Sequence, residues 1–140
     1  MEEKTILLVE DSDDDAALFE RGIRRANCGA TVHRVDSTEQ AIAWIKEGAR
    51  PRLVYLDLLL TNLPGEHFLR WVREQEDFKC IPVIVLAGVV PRKTMQDLCD
   101  LGVNAVMVKP TRLSDLLEAI STSCIFWLRH CVPPRGTQDD

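Results

Sequence analysis

The chain has no basic stripe. Its 17 Lys and Arg face 22 Asp and Glu, a net charge of −5 over 140 residues, and no basic cluster exceeds two neighbours. A nucleic-acid surface needs clustered positive charge, so nucleic-acid partners are not expected. Paired metal motifs are missing too. The five cysteines (Cys28, Cys80, Cys99, Cys124, Cys131) form no C-x-x-C, and His33, His67 and His130 stand apart. That pattern argues against structural zinc and for the reduced thiols of a cytoplasmic protein. Ile6 to Val9, after an acidic start, is too short for a signal peptide or a membrane span, and no membrane partner is expected. No repeat or linker divides the chain. With 46% apolar and 28% charged residues, it reads as one globular domain.

What is present is alternation. Ile6 to Val9 is an apolar run of strand length. Ser12, with Asp15 three residues on, caps a helix predicted over Asp13 to Ala26, whose acidic first turn suits the positive end of a helix. Phe19, Ile23 and Ala26 share a face, and Cys28-Gly29 ends the helix. Thr31 to Val35 predicts a weaker strand. Ser37 and Gln40 form a capping box for a helix that turns Ala41, Ile42 and Ile45 inward, with Gly48 and Pro51 stopping it. Leu53 to Leu56 is a third strand, ending on Asp57. Asn62 and Pro64-Gly65 signal a loop, and the helix after it carries Phe68, Leu69 and Val72. Pro82 to Leu86 is the cleanest strand, with Gly88 and Pro91 in the following loop. Lys93 to Leu101 predicts a short helix with Met95, Leu98 and Cys99 inward, closed by Gly102. Ala105 to Val108 is a fifth strand. Thr111 is the expected cap of a last helix with apolar positions Leu113, Leu116, Leu117, Ile120 and Cys124. Such alternation builds an α/β fold, a doubly wound parallel sheet covered on both faces, and near-continuously apolar strands agree with two-sided burial.

In a parallel sheet the carboxyl ends share one edge, where α/β folds place their ligands. The first strand delivers Glu10 and Asp11 there, the third Asp57, and the fifth Lys109. A carboxylate at a strand tip is costly to bury unpaired. Three of them need a cation, and oxygen ligands select a hard one, Mg²⁺. With Lys109 as a second positive charge, the arrangement suits an aspartate that accepts a phosphoryl group. Taken singly, the acidic run after the first strand reads as a helix cap, Lys109 as a surface lysine and Asp57 as a turn residue. Their conjunction on one edge is what favours chemistry.

These residues carry a resemblance. Glu10-Asp11 in LLVEDSDDD, Asp57 in VYLDLLL with Gly65 eight residues later, Pro82-Val83-Ile84-Val85-Leu86, and Lys109-Pro110 in MVKP resemble the receiver domain of two-component response regulators. The likeness spans roughly residues 4 to 128. It implies a flavodoxin-like (βα)5 sheet in strand order 2-1-3-4-5, with a receiver over 1–128, an extension over 129–140 and no output domain. It implies that Asp57 accepts phosphate from a sensor histidine kinase. Asp11, Asp57 and the backbone carbonyl of Leu59 would bind Mg²⁺, Glu10 would assist through water, and Lys109 would contact the phosphoryl group. The protein would be a phosphoacceptor that promotes its own phosphorylation and dephosphorylation rather than a stand-alone enzyme. The Lys109-Pro110 bond is usually cis in such proteins.

The chain departs from that family at its switch. Ala87 stands where a Thr or Ser is usual, Val106 where an aromatic is, and Thr61 where a proline follows the acceptor. Phosphorylation is expected to persist, with the backbone N–H groups of Ala87 and Gly88, or an oligomer interface, taking over the readout. Leu59 and Val89 flank the site with apolar side chains and offer nothing to orient a water, so slow loss of the phosphoryl group is expected.

The stretch Cys124 to Leu128 is apolar on every side, which predicts packing against a second copy through Phe126, Trp127 and Leu128, the competing reading being that it folds back on its own domain. Cys124 and Cys131 could share a face, though no disulfide is expected. Pro133 to Asp140 predicts a disordered tail. FWLRHCVPP also resembles the single-domain regulators paired with phytochrome kinases. Three other readings compete. A flavodoxin-like cofactor protein should carry a Ser/Thr- or Gly-rich first loop, which EDSDDD is not. An aspartyl phosphatase should carry D-x-D after its first strand, and this chain has Glu10-Asp11. A degenerate receiver acting as a dimeric protein-binding module is favoured by Ala87 and Val106 and opposed by the intact charged cleft.

Overall fold

Strand and helix fall where apolar period changes. A computed structural model describes residues 4–59 and 65–133. In order, its elements are β1 (Lys4–Val9), α1 (Asp13–Ala26), β2 (Ala30–Val35), α2 (Thr38–Lys46), β3 (Leu53–Asp57), α3 (Gly65–Glu74), β4 (Val83–Ala87), α4 (Arg92–Asp100), β5 (Ala105–Val108) and α5 (Leu113–Ile125). A single π-helical turn, Phe126–His130, continues α5. The five strands are parallel in the order β2-β1-β3-β4-β5, as the doubly wound fold class requires.

Alternate residues of each strand feed two cores. Leu7, Val9, Val54, Leu56, Val83 and Val85 pack with Ala41, Ile45, Phe68, Leu69, Val72 and Leu98 from α2, α3 and α4. Ile6, Leu8, Leu53, Tyr55, Ile84 and Leu86 pack with Ala16, Phe19, Ile23 and Ile120 from α1 and α5. Because β1 lies between β2 and β3, the chain passes from β1 through α1 to β2 in one direction and from β3 through α3 to β4 in the other, with α1 and α3 on opposite faces, and a crevice opens between the carboxyl ends of β1 and β3.

Local chemistry sets the helix starts. The Ser12 hydroxyl accepts the Asp15 N–H at 3.2 Å, and the Ser37 hydroxyl accepts the Gln40 N–H at 3.2 Å. The Gln40 side chain reaches back one residue further than a capping box would, accepting from the Asp36 N–H at 3.0 Å. Asn27 closes α1 in the left-handed conformation with φ of 48°, which asparagine tolerates better than most residues.

Several expectations need correction. The fourth strand starts at Val83 rather than Pro82, whose missing N–H cannot join the ladder, and runs on to Ala87. On α4 only Leu98 is buried; Met95 is half-buried and Cys99 exposed, because this short helix offers the sheet margin a narrow contact. The cap of α5 is Arg112, not Thr111, and makes no side-chain cap bond. No peptide bond among the described residues is cis, so Lys109-Pro110 is trans. Leu128 is 3% exposed and belongs to the chain's own α1–α5 core, so it has no free surface for a second copy. The π turn rotates it inward while leaving Phe126 exposed. All five cysteines are free; Cys124 meets Cys28, not Cys131, with sulfurs 3.1 Å apart. Thr61, Asn62 and Pro64, and the tail beyond Pro133, lie outside the described residues.

Candidate functional site

The crevice is assembled from chain ends. β1 stops at Val9, and the next backbone N–H, from Glu10, still bonds to Val35 of β2 at 3.0 Å. That last rung buries the Glu10 side chain to 2% exposure. Its Oε1 accepts the Ser12 N–H at 3.1 Å. Asp57 ends β3 and is 7% exposed, with Oδ1 accepting the Leu59 N–H at 3.1 Å. Gly65, opening α3, lies against this strand end: a Cβ there would sit 2.8 Å from the Asp57 carbonyl oxygen, so the close approach needs glycine.

Glu10, Asp11 and Asp57 each turn a carboxylate oxygen into the crevice, all within 4.8 Å of one another. The Lys109 N–H bonds to the Ala87 carbonyl at 2.8 Å, which carries the side chain in from β5. Its Nζ stands 3.8 Å from Glu10 Oε2 and 3.9 Å from Asp15 Oδ2. Glu10 is pushed up to about 7, chiefly by burial and then by a hydrogen bond to Asp57; the Ser12 N–H and Lys109 pull the other way and lose. Burial first, and the hydrogen bond shared with Asp57 second, therefore favour a proton on Glu10 near neutrality when no cation is bound. A hard divalent cation fits this donor set, since all three ligands are carboxylate oxygens.

Ala87 is buried at the end of β4 and brings no hydroxyl to the edge. Gly88 is open; a Cβ there would meet nothing within 4 Å. Leu59 and Val89, 77% and 89% exposed, stand out on the loops after β3 and β4. Val106 does not reach the site. It pairs with Val85 in the ladder and packs into the α2–α4 core.

Two participants, and one core contact outside the site, lie beyond sequence reasoning. Asp15, which the sequence places only in the capped first turn of α1, faces Lys109. Arg34 on β2 donates from Nε to the Glu10 carbonyl at 2.8 Å and pairs with Asp13 at 2.7 Å. Tyr55, two residues before Asp57 and packed in the α1–α5 core, bonds to Ser123 of α5 at 2.7 Å. A polar residue inside an apolar strand was the available signal for Arg34 and Tyr55, but their partners lie far along the chain.

A family model for the response regulator receiver domain matches residues 6–121. The response regulator Rcp1 of Synechocystis is 28% identical over 137 residues, covering 94% of this chain and 93% of Rcp1. Its Mn²⁺-bound crystal form superposes with a TM-score of 0.85, covering 94% and 99% of the two chains. The probable methanogenesis regulatory protein FilR2 of Methanothrix harundinacea is 28% identical over 128 residues, covering 88% and 83%. The phosphorylated cyanobacterial phytochrome response regulator RcpA superposes with a TM-score of 0.88 at 28% identity, covering 95% and 99%.

Proposed function

This chain belongs to the response regulator receiver family, and from that premise we propose that it accepts a phosphoryl group on Asp57 from a sensor histidine kinase, of the phytochrome type, in a Mg²⁺-dependent phosphorelay. The observation that carries the reading is the meeting of Glu10, Asp11 and Asp57 within 4.8 Å at the strand ends, with Lys109 beside them. A carboxylate oxygen of Asp57 attacks the phosphorus of a phosphohistidine. The N–P bond breaks as the O–P bond forms, and the imidazole leaves with the electron pair. The Leu59 N–H on Asp57 Oδ1 orients the nucleophile, and Lys109 offers positive charge to the phosphoryl oxygens. Asp11, Asp57 and the Leu59 carbonyl would hold Mg²⁺, with Glu10 assisting through water; the ion would offset charge on the transferred group.

The phytochrome pairing rests on RcpA, a phytochrome response regulator of similar fold and extent, and on the resemblance of FWLRHCVPP to the regulators of that group. The protein would work in the cytoplasm as a phosphoacceptor rather than a stand-alone enzyme, and as a homodimer through Phe126 and Trp127. No helix among the described residues is long and apolar enough to cross a membrane. Leu59 and Val89 provide no hydrogen-bonding side chain for a water, so the acyl phosphate should be long-lived; a half-life at the short end of the family's range contradicts this.

The deciding experiment is incubation with Mg²⁺ and acetyl phosphate, read by intact mass. One added phosphate, absent in Asp57→Asn, is expected. No addition with acetyl phosphate or with a cognate kinase overturns the reading. A phosphorylation-independent dimeric module then leads, favoured by Ala87 and by the exposed Phe126.

A further inference from the structure

We propose that Arg34 is a positioning residue for the divalent-cation site, acting through the peptide group that joins Glu10 to Asp11. Arg34 is the penultimate residue of β2 and pairs with Leu8 of β1. Its Nε–H donates to the Glu10 carbonyl at 2.8 Å, and Nη1 bonds to Asp13 Oδ1 at 2.7 Å. The Glu10 N–H is already bonded to Val35 at 3.0 Å. Strand β2 therefore grips Glu10 on both sides of its α-carbon. The carbonyl held by Arg34 belongs to the peptide that leads into Asp11. Its orientation sets where the Asp11 carboxylate points relative to those of Glu10 and Asp57. Rotation of that one peptide would scatter oxygens that now lie within 4.8 Å. A guanidinium suits the task, because its rigid fork can hold a carbonyl and a carboxylate at once.

Stability alone does not account for this placement. The Arg34 side chain is only 24% exposed, and its Nη2 is buried without a hydrogen-bond partner among the described residues. Burying a charged group incompletely satisfied weakens a fold. Nor does charge account for it, since a cation beside a cation site opposes ion binding. What remains is geometry.

The inference rests on the reading that Glu10, Asp11 and Asp57 hold Mg²⁺, and calorimetric titration of the full chain with Mg²⁺ alone separates the two. The unaltered protein is expected to bind. Arg34→Gln should weaken the affinity about 10- to 100-fold, the usual cost of losing a residue that orients metal ligands. Arg34→Lys keeps the charge but loses the fork, and should also weaken it, by a smaller factor. Unchanged affinity in Arg34→Gln would make the residue a structural staple only, and tighter binding would make it a charge only; either overturns the proposal. If Arg34→Gln does not fold, Arg34→Lys decides: weaker binding supports the proposal and equal binding overturns it. Failure of the unaltered protein to bind overturns the cation-site reading and the proposal together, whereas binding that ignores both variants overturns the proposal alone.

Discussion

At the residue scale, Glu10 sets a pH dependence. It is buried beside Asp57 and lifted to about 7, so in the metal-free protein it holds a proton that an unfolded glutamate has lost above about pH 4.5. The folded state binds more protons between those values, and its stability must fall as pH rises through them. The contribution is complete below the unfolded value and declines progressively until about pH 7. Urea denaturation of metal-free protein should therefore give a lower stability at pH 8 than at pH 5, and Asp57→Asn should reduce the difference. A flat profile would sink this account. Tyr55 supplies a second test. Ser123 Oγ already donates to the Ile120 carbonyl at 3.0 Å, so the Tyr55 hydroxyl is the donor in their 2.7 Å bond. Tyr55→Phe deletes that bond and leaves the ring against Phe19 at 4.5 Å. The expected cost is about 1 kcal/mol by chemical denaturation, with Asp57 still phosphorylated.

At the element scale, α1 and α5 approach so closely that Gly22 is needed between them. A Cβ on Gly22 would sit 2.7 Å from Ile120 Cγ2, and Ile120 is 1% exposed with nowhere to move. Alanine would favour an isolated helix by about 1 kcal/mol; here overpacking should win, with a net loss of about 1–3 kcal/mol. A Gly22→Ala protein more stable than its parent by thermal unfolding would show that the helices separate freely. The helix starts were legible because capping is local: Ser12 and Ser37 take the N–H groups expected of them. Thr111 was not, because one residue's shift in the loop after Lys109 moves the cap to Arg112.

At the scale of the whole molecule, the C-terminal turn separates fold from assembly. Leu128 is part of the core, while Phe126 is 52% exposed. Phe126→Asp should abolish the proposed dimer in analytical ultracentrifugation and leave the melting temperature nearly unchanged. Leu128→Ala should cost about 2–5 kcal/mol by opening a cavity, whatever the assembly state. A monomer in both the parent and Phe126→Asp proteins would remove the dimer and leave Phe126 as an exposed aromatic.

The strands, the two-faced sheet and the meeting of Glu10, Asp11, Asp57 and Lys109 at one edge are legible in the sequence. These follow from local apolar period and from the rule that parallel strands end on one edge. Which face each long side chain takes, and whom it meets, depends on the packed fold. Arg34 under Glu10, Tyr55 against Ser123, Cys28 against Cys124 and Leu128 turned inward are contacts between residues at least 24 positions apart or across a change in helical pitch. No local period encodes them, because they arise only when packed elements bring distant side chains within a few ångströms.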